Sequence, residues 1–303
     1  MITELTENSL QSKLLELSKR PALLLDRSLK IIDMNLEARL SRFAFSQGAS
    51  LAECFYKDFP EKLSGMLNGE FCRNLLSCNG EETAASALSV NGNILLIFDT
   101  SGYRMVESDF ANELAEPANP NGKRTLHDIV TELRSEQFSP HPLAFFDFST
   151  TARTLVDEII GQMPRFADRI CLECDELQLF GVGEVRDFML ISAAITAVLL
   201  SGKEKNPILV KASSKDSLLS LRFVRTGPDV LLSQNEENEL RWLKALADGN
   251  FWKLERFWDS NGKCGYELLL PAVKSGEEFL VRDAAPEFLR ETVSLCFAAL
   301  LAE

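Results

Sequence analysis

Few residues in this 303-residue chain stand at spacings that do chemistry. Cys171-Leu172-Glu173-Cys174 has the spacing of a metal-ligand pair. Zinc in a structural site takes four ligands, and no second pair or histidine cluster follows. In a strand those two side chains point to opposite faces, so both cysteines are read as structural and no metal is expected. The chain has two histidines. His141 lies between Pro140 and Pro142, and nothing marks a Ser or Cys partner for nucleophilic catalysis. His127 opens the run His127-Asp128-Ile129-Val130-Thr131. The aromatics Trp242, Phe251, Trp252, Phe257, Trp258, Tyr266 and Phe279 read as core rather than as a ligand box.

The elements that must position these residues fall into two groups. In the first, Leu10, Leu14 and Leu17 make a narrow apolar stripe, extended by Leu5 and Leu15, on a leading helix over 9–19. Ala22–Asp26 and Leu29–Met34, joined by a turn at Arg27-Ser28, predict a hairpin. Leu36, Leu40 and Phe43 mark a short helix, and mixed short segments run on to Ser77. Asn91-Gly92 is a hairpin signal because it supplies positive φ, and it leads into the buried strand Ile94–Asp99.

Pro, Asn and Gly cluster at 116–122, and Ser139-Pro140-His141-Pro142 punctuates again, which places a linker here around a short helix over 125–136. Beyond it, Leu155, Val156, Ile159, Ile160 and Met163 form one helical face, with Ser149, Thr150 and Thr151 as capping candidates. Strands are expected at 169–173 and 177–182, then a helix at 185–200 that is apolar on all sides and therefore buried. Paired strands at 208–212 and 218–224 follow. Ser233 and Glu236 form a capping box for a helix over 236–248 that Gly249 ends. The strongest hairpin signal, Asn261-Gly262, joins 251–258 to 264–270, and a helix over 286–302 closes the chain.

Composition excludes several function classes. The balance of 32 basic and 45 acidic residues, a net charge of −13, opposes a nucleic-acid-coating surface and repels an anionic membrane. The longest near-apolar run, 188–200, falls short of the roughly 20 residues that cross a bilayer. Seven scattered cysteines imply no disulfide framework, and residues 1–8 carry two Glu and no apolar leader. A cytoplasmic protein is expected.

The order of elements over 147–271 is α+β, with helices against one mixed sheet. Phe146–Ile160 resembles the opening helix of the ATP-binding (GHKL, or HATPase-type) domain of sensor histidine kinases. Leu246-Ala247-Asp248-Gly249-Asn250 through Gly265–Pro271 is similar to that family's closing segment. Through Ala22–Asn35 and Ile94–Asp99 the first half resembles a PAS domain. The resemblance implies a PAS-like domain at 1–105, a linker with a short helix at 106–142, an ATPase-like α/β sandwich at 143–275 and a C-terminal helix at 276–303.

The departures from that pattern are specific. The family's buried helix carries an asparagine that holds the magnesium bridging the nucleotide phosphates. Here Arg186–Leu200 has no Asn, and the aligned positions are Ala194 and Val198, which offer no oxygen ligand. The family's adenine-binding stretch is Asp-x-Gly-x-Gly, and the matching segment here is Arg225-Thr226-Gly227-Pro228-Asp229. The lid that follows, Val230–Asn238, is short and without the glycines a phosphate cradle uses. His127 has the spacing of the family's phosphoacceptor box, in which the acidic neighbour assists proton removal. Pro140 and Pro142 end its helix early, so it is read as a solvated helix residue and the weak phosphoacceptor candidate. The expectation is a signalling pseudokinase without catalytic residues or cofactor. It would act on a protein partner of a signalling pathway as a homodimer joined through the leading helix. The alternatives are an active kinase or ATPase with a divergent site, and a scaffold that binds no small ligand.

Overall fold

The computed structural model describes residues 7–18, 20–41, 43, 45–68, 72–78, 82–90, 92–99, 144–175, 179–201, 206–215, 218–225, 243–244, 246–248, 250–258, 263–274, 281, 283 and 285–300. His127, His141, the linker and the segment 226–242 lie outside them, as do Asn91, Gly249, Asn261, Gly262 and Phe279.

Residues 22–99 build an antiparallel five-stranded sheet from β1 (Ala22–Leu25), β2 (Ile31–Met34), β3 (Cys72–Leu76), β4 (Glu82–Val90) and β5 (Asn93–Asp99). Its order is β2-β1-β5-β4-β3. The β1–β2 hairpin closes on Asp26, whose carboxylate accepts from the Ser28 and Lys30 N–H at 2.8 and 2.9 Å. Both faces of this sheet are buried, and the two-residue strand period divides them. Leu23, Leu25, Ala85, Ala87, Leu96 and Phe98 face one core, whereas Ala22, Leu24, Leu88, Val90, Leu95 and Ile97 face another.

The first core is roofed by α2 (Leu36–Arg39) and α3 (Phe59–Leu67) and filled by phenylalanines. Ring centroids of Phe43, Phe45 and Phe55 lie 5.5, 5.2 and 5.8 Å from that of Phe98. The short helix expected from Leu36 and Leu40 exists, but those two residues are 63% and 76% exposed and Ala38 is the buried one. At 3.6 residues per turn Leu36 and Leu40 share one face and Ala38 lies about 200° round from Leu36, and it is the Ala38 face that the helix buries. Asn35 caps it by accepting from Ala38 N–H, and donates to the Ser18 and Arg20 carbonyls, tying α2 to the chain before β1.

The second sheet comprises β6 (Ala144–Asp147), β7 (Ile170–Cys174), β8 (Leu179–Gly183), β9 (Ile208–Lys215), β10 (Leu218–Arg225), β11 (Lys253–Trp258) and β12 (Cys264–Lys274). Its order is β6-β8-β12-β10-β9-β7, with β11 on β12 and only β7–β9 parallel. Helices α4 (Phe148–Gln162), α5 (Val185–Ser201) and α6 (Pro286–Leu300) share one core with this sheet. The opening helix starts later than the sequence suggests, because Phe146 and Asp147 belong to β6. Asp147, rather than Ser149 or a threonine, caps it, accepting from Thr150 N–H at 2.8 Å. β12 also continues through Pro271 to Lys274 to pair with β8.

The stripe on the leading helix α1 (Glu7–Leu17) could be covered by a second chain or by its own, and the structure places its described leucines against its own chain. Leu14 and Leu15 are 0% and 4% exposed, packed in a cluster with Leu24, Leu95 and Ile97 of the first sheet and Phe145, Val182, Phe251 and Val273 from the second half. Gln11 Nε2 donates to the Val90 carbonyl at 3.2 Å. Leu14 and Leu15 of the stripe are thus buried inside their own chain, with Leu17 packed half-buried against the same cluster, where apolar area is as well removed from water as in a partner.

Candidate functional site

The helix on which the resemblance would place a nucleotide site is α5. Ala194, Val198, Leu199 and Leu200 are all buried, at 0–5% exposure. A helix this apolar needs cover on every side, and α6 supplies it on the side away from the sheet. α6 buries Phe288, Leu289, Val293, Cys296 and Phe297. The Arg186 guanidinium lies 4.9 Å over the Phe288 ring, and Phe297 meets Phe166 at 6.1 Å. Two hydroxyls in this helical layer, Ser192 Oγ and Thr292 Oγ1, are buried without a hydrogen-bond partner.

The N-terminal end of α5 is closed by side chains. Asn250 Oδ1 accepts from Glu184 N–H at 2.7 Å, and its Nδ2 donates to Asp187 Oδ2 at 2.6 Å and to the Leu246 carbonyl at 3.0 Å. Asp187, in the first helical turn, places its charge where the helix dipole favours it. Trp252 Nε1 donates to the Val182 carbonyl at 2.6 Å, and its indole lies where a Cβ on Gly183 would stand, 2.3 Å away. Between these two residues Phe251 takes φ of 63°, costly for a bulky side chain, and thereby reaches the cluster around Leu14. Three consecutive residues thus cap α5, join the two sheets and fill the core under α5.

The end of β10, which the resemblance would set against adenine, carries a cation. Arg225 is the last residue of β10 and is 4% exposed, with its Nε sealed from water and unpartnered. Register runs from Arg225 to Ile208 to Ile170, which brings Arg169 to the same end of the sheet. Burial, and then the charge of Arg225, hold the Arg169 guanidinium below its ordinary pKa. Thr226–Asp229 and the lid segment lie outside the described residues.

The remaining candidates do not converge on this place. Cys171 is exposed and Cys174 half-buried on β7, and among the described residues no three His, Cys, Asp or Glu gather as metal ligands. A shallow groove of about 580 Å³ between α4 and α6 is lined by Glu158, Glu287, Glu291 and Arg290, a net negative wall unsuited to phosphate. No helix among the described residues is long and apolar enough to cross a membrane. Sequence reasoning missed the Asn250–Asp187 cap and the covering role of α6. Asn250 follows a helix-ending glycine, which was its only signal, and nothing local marks which helix a terminal helix will cover.

No family model matches the chain, and no curated protein matches it either. Similar solved structures are histidine kinases. The Acinetobacter baumannii histidine kinase AdeS is 11% identical, covering 57% of this chain and 85% of its own, with a TM-score of 0.36. Histidine kinase ThkA, solved in complex with response regulator protein TrrA, is 11% identical over 84% of this chain and 96% of its own, at 0.35. The Erythrobacter litoralis blue-light activated histidine kinase EL346 is 11% identical over the same shares, at 0.27. Likeness at this level says nothing about activity, so the functional reading rests on the residues themselves.

Proposed function

We propose that the chain is a signalling pseudokinase of the histidine kinase type, which senses or relays by contact with a protein partner and transfers no phosphoryl group. The observation that carries this reading is the state of α5. It lacks the magnesium-holding amide, and α6 lies along it inside one continuous core. Arg225 supports the reading independently. A guanidinium only donates hydrogen bonds, so it cannot accept from the amino group of adenine as the family's carboxylate does. The antiparallel order β2-β1-β5-β4-β3 supports a PAS-like sensor unit over 1–105, whose interior here is occupied by phenylalanine rings. In this reading 106–142 is a linker, 143–275 the degenerate ATPase-like unit and 276–303 the covering helix. A homodimer, where one forms, uses a surface other than Leu14 and Leu15.

The direct test is phosphorylation. Incubated with ATP and magnesium, the full chain should carry no acid-labile phosphate. A histidine phosphate that disappears in His127→Ala would instead establish the alternative, an active kinase with a divergent site.

A further inference from the structure

The first sheet carries a pair of thiols that neither the nucleotide question nor the partner question uses. Cys54 follows the 3-10 turn Leu51–Glu53, and Cys78 follows β3. An antiparallel bridge joins Phe55 to Ser77, and one residue outward the Cys78 N–H donates to the Cys54 carbonyl at 2.9 Å. Cys54 ends its turn in αR backbone (φ −87°, ψ −17°), so it is the hydrogen bond to Cys78, and the effect of the Cys78 charge on the Cys54 thiol, that place the two residues side by side. Opposed residues of a hydrogen-bonded pair have Cα atoms about 5.5 Å apart. A disulfide requires about 4.4–6.8 Å.

Both thiols already turn toward the same turn of chain. Cys78 Sγ lies 3.4 Å from the Glu53 carbonyl, and Cys54 Sγ lies 3.7 Å from that of Ser50. Both are free, and they differ in access, Cys78 being exposed and Cys54 half-buried. Burial, and then the charges of Cys78 and Glu53, push the Cys54 thiol up, which keeps it protonated and quiet until its neighbour reacts.

We propose that Cys54 and Cys78 form a reversible disulfide under hydrogen peroxide, an oxidation site on the PAS-like unit. The exposed Cys78 thiolate attacks peroxide, forming a sulfur–oxygen bond as the O–O bond breaks, and hydroxide leaves. Cys54 sulfur then attacks the sulfenic sulfur and the S–O bond breaks. Its proton leaves with the departing oxygen as water, so two thiols and one peroxide give one disulfide and two waters. The new bond closes the loop that carries α3, whose Phe59, Leu63 and Met66 pack in the phenylalanine core. Oxidation therefore fastens that helix and constrains the unfolded chain.

This inference stands whether or not the chain binds nucleotide. The full chain is treated with hydrogen peroxide, blocked with iodoacetamide and digested without reductant. The expected result is a linked peptide containing Cys54 and Cys78, an intact mass lower by about 2 Da before blocking, and a raised unfolding temperature that dithiothreitol reverses. Cys54→Ser should accumulate a dimedone-reactive sulfenic acid at Cys78. Links among other cysteines, sulfinic acid at Cys78 without a link in the wild type, or no reaction at either thiol would each overturn it.

Discussion

Leu14→Ala should destabilise residues more than 200 positions away. Leu14 is fully buried in the cluster that joins Leu24, Leu95 and Ile97 to Phe145, Val182, Phe251 and Val273. Truncation removes three carbons from a site pressed by both sheets, which can collapse little, so about 3 kcal/mol is lost. The chain offers a clean reporter, because its three tryptophans all lie between 242 and 258. Trp252 in particular is 1% exposed, adjoins Phe251 of the joining cluster and makes edge contacts with Phe146 and Phe188. Tryptophan fluorescence during urea unfolding therefore sees only the second half. With a urea dependence of about 3 kcal/mol/M, the midpoint of that signal should fall by about 1 M. If the fluorescence midpoint is unchanged while far-UV circular dichroism shows a separate transition at lower urea, the halves unfold independently and the shared cluster contributes nothing to the second.

Two further perturbations probe the cores. Thr292→Val replaces a buried, unpartnered hydroxyl with a methyl of the same shape, and should raise stability by about 1 kcal/mol in calorimetry; a loss would mean the hydroxyl has a partner in solution. Phe98→Ala removes the ring at the centre of the phenylalanine stack, and should cost about 3–5 kcal/mol by chemical denaturation. The dry apolar cavity it leaves should bind benzene, raising the variant's unfolding temperature and not that of the wild type.

What could be read beforehand depended on whether the signal was local. Asn-Gly turns, the all-apolar run of α5 and the alternation of β9 and β10 carry their information within a dozen residues, and the elements lie within a few residues of where they were expected. β3, β4 and α3 were hidden, because Glu82–Val90 is rich in Ala and Ser and its strand character comes from pairing with β5. The fate of the α1 stripe was not legible at all. A stripe shows that a face must be buried, and nothing in it says whether the second sheet or a second chain does so. The candidate site divides the same way: the missing asparagine and the Arg at 225 are visible as letters. The cap from Asn250 and the cover from α6 exist only once residues far apart in the chain meet, Asn250 with Asp187 and Phe288 with Arg186.

Calorimetric titration of the full chain with ATP and magnesium tests the central claim most directly. On the proposed reading, in which α5 is buried under α6 without the family's asparagine and Arg225 stands in place of its carboxylate, the isotherm should be flat at millimolar nucleotide. A saturable, magnesium-dependent heat would contradict the pseudokinase reading.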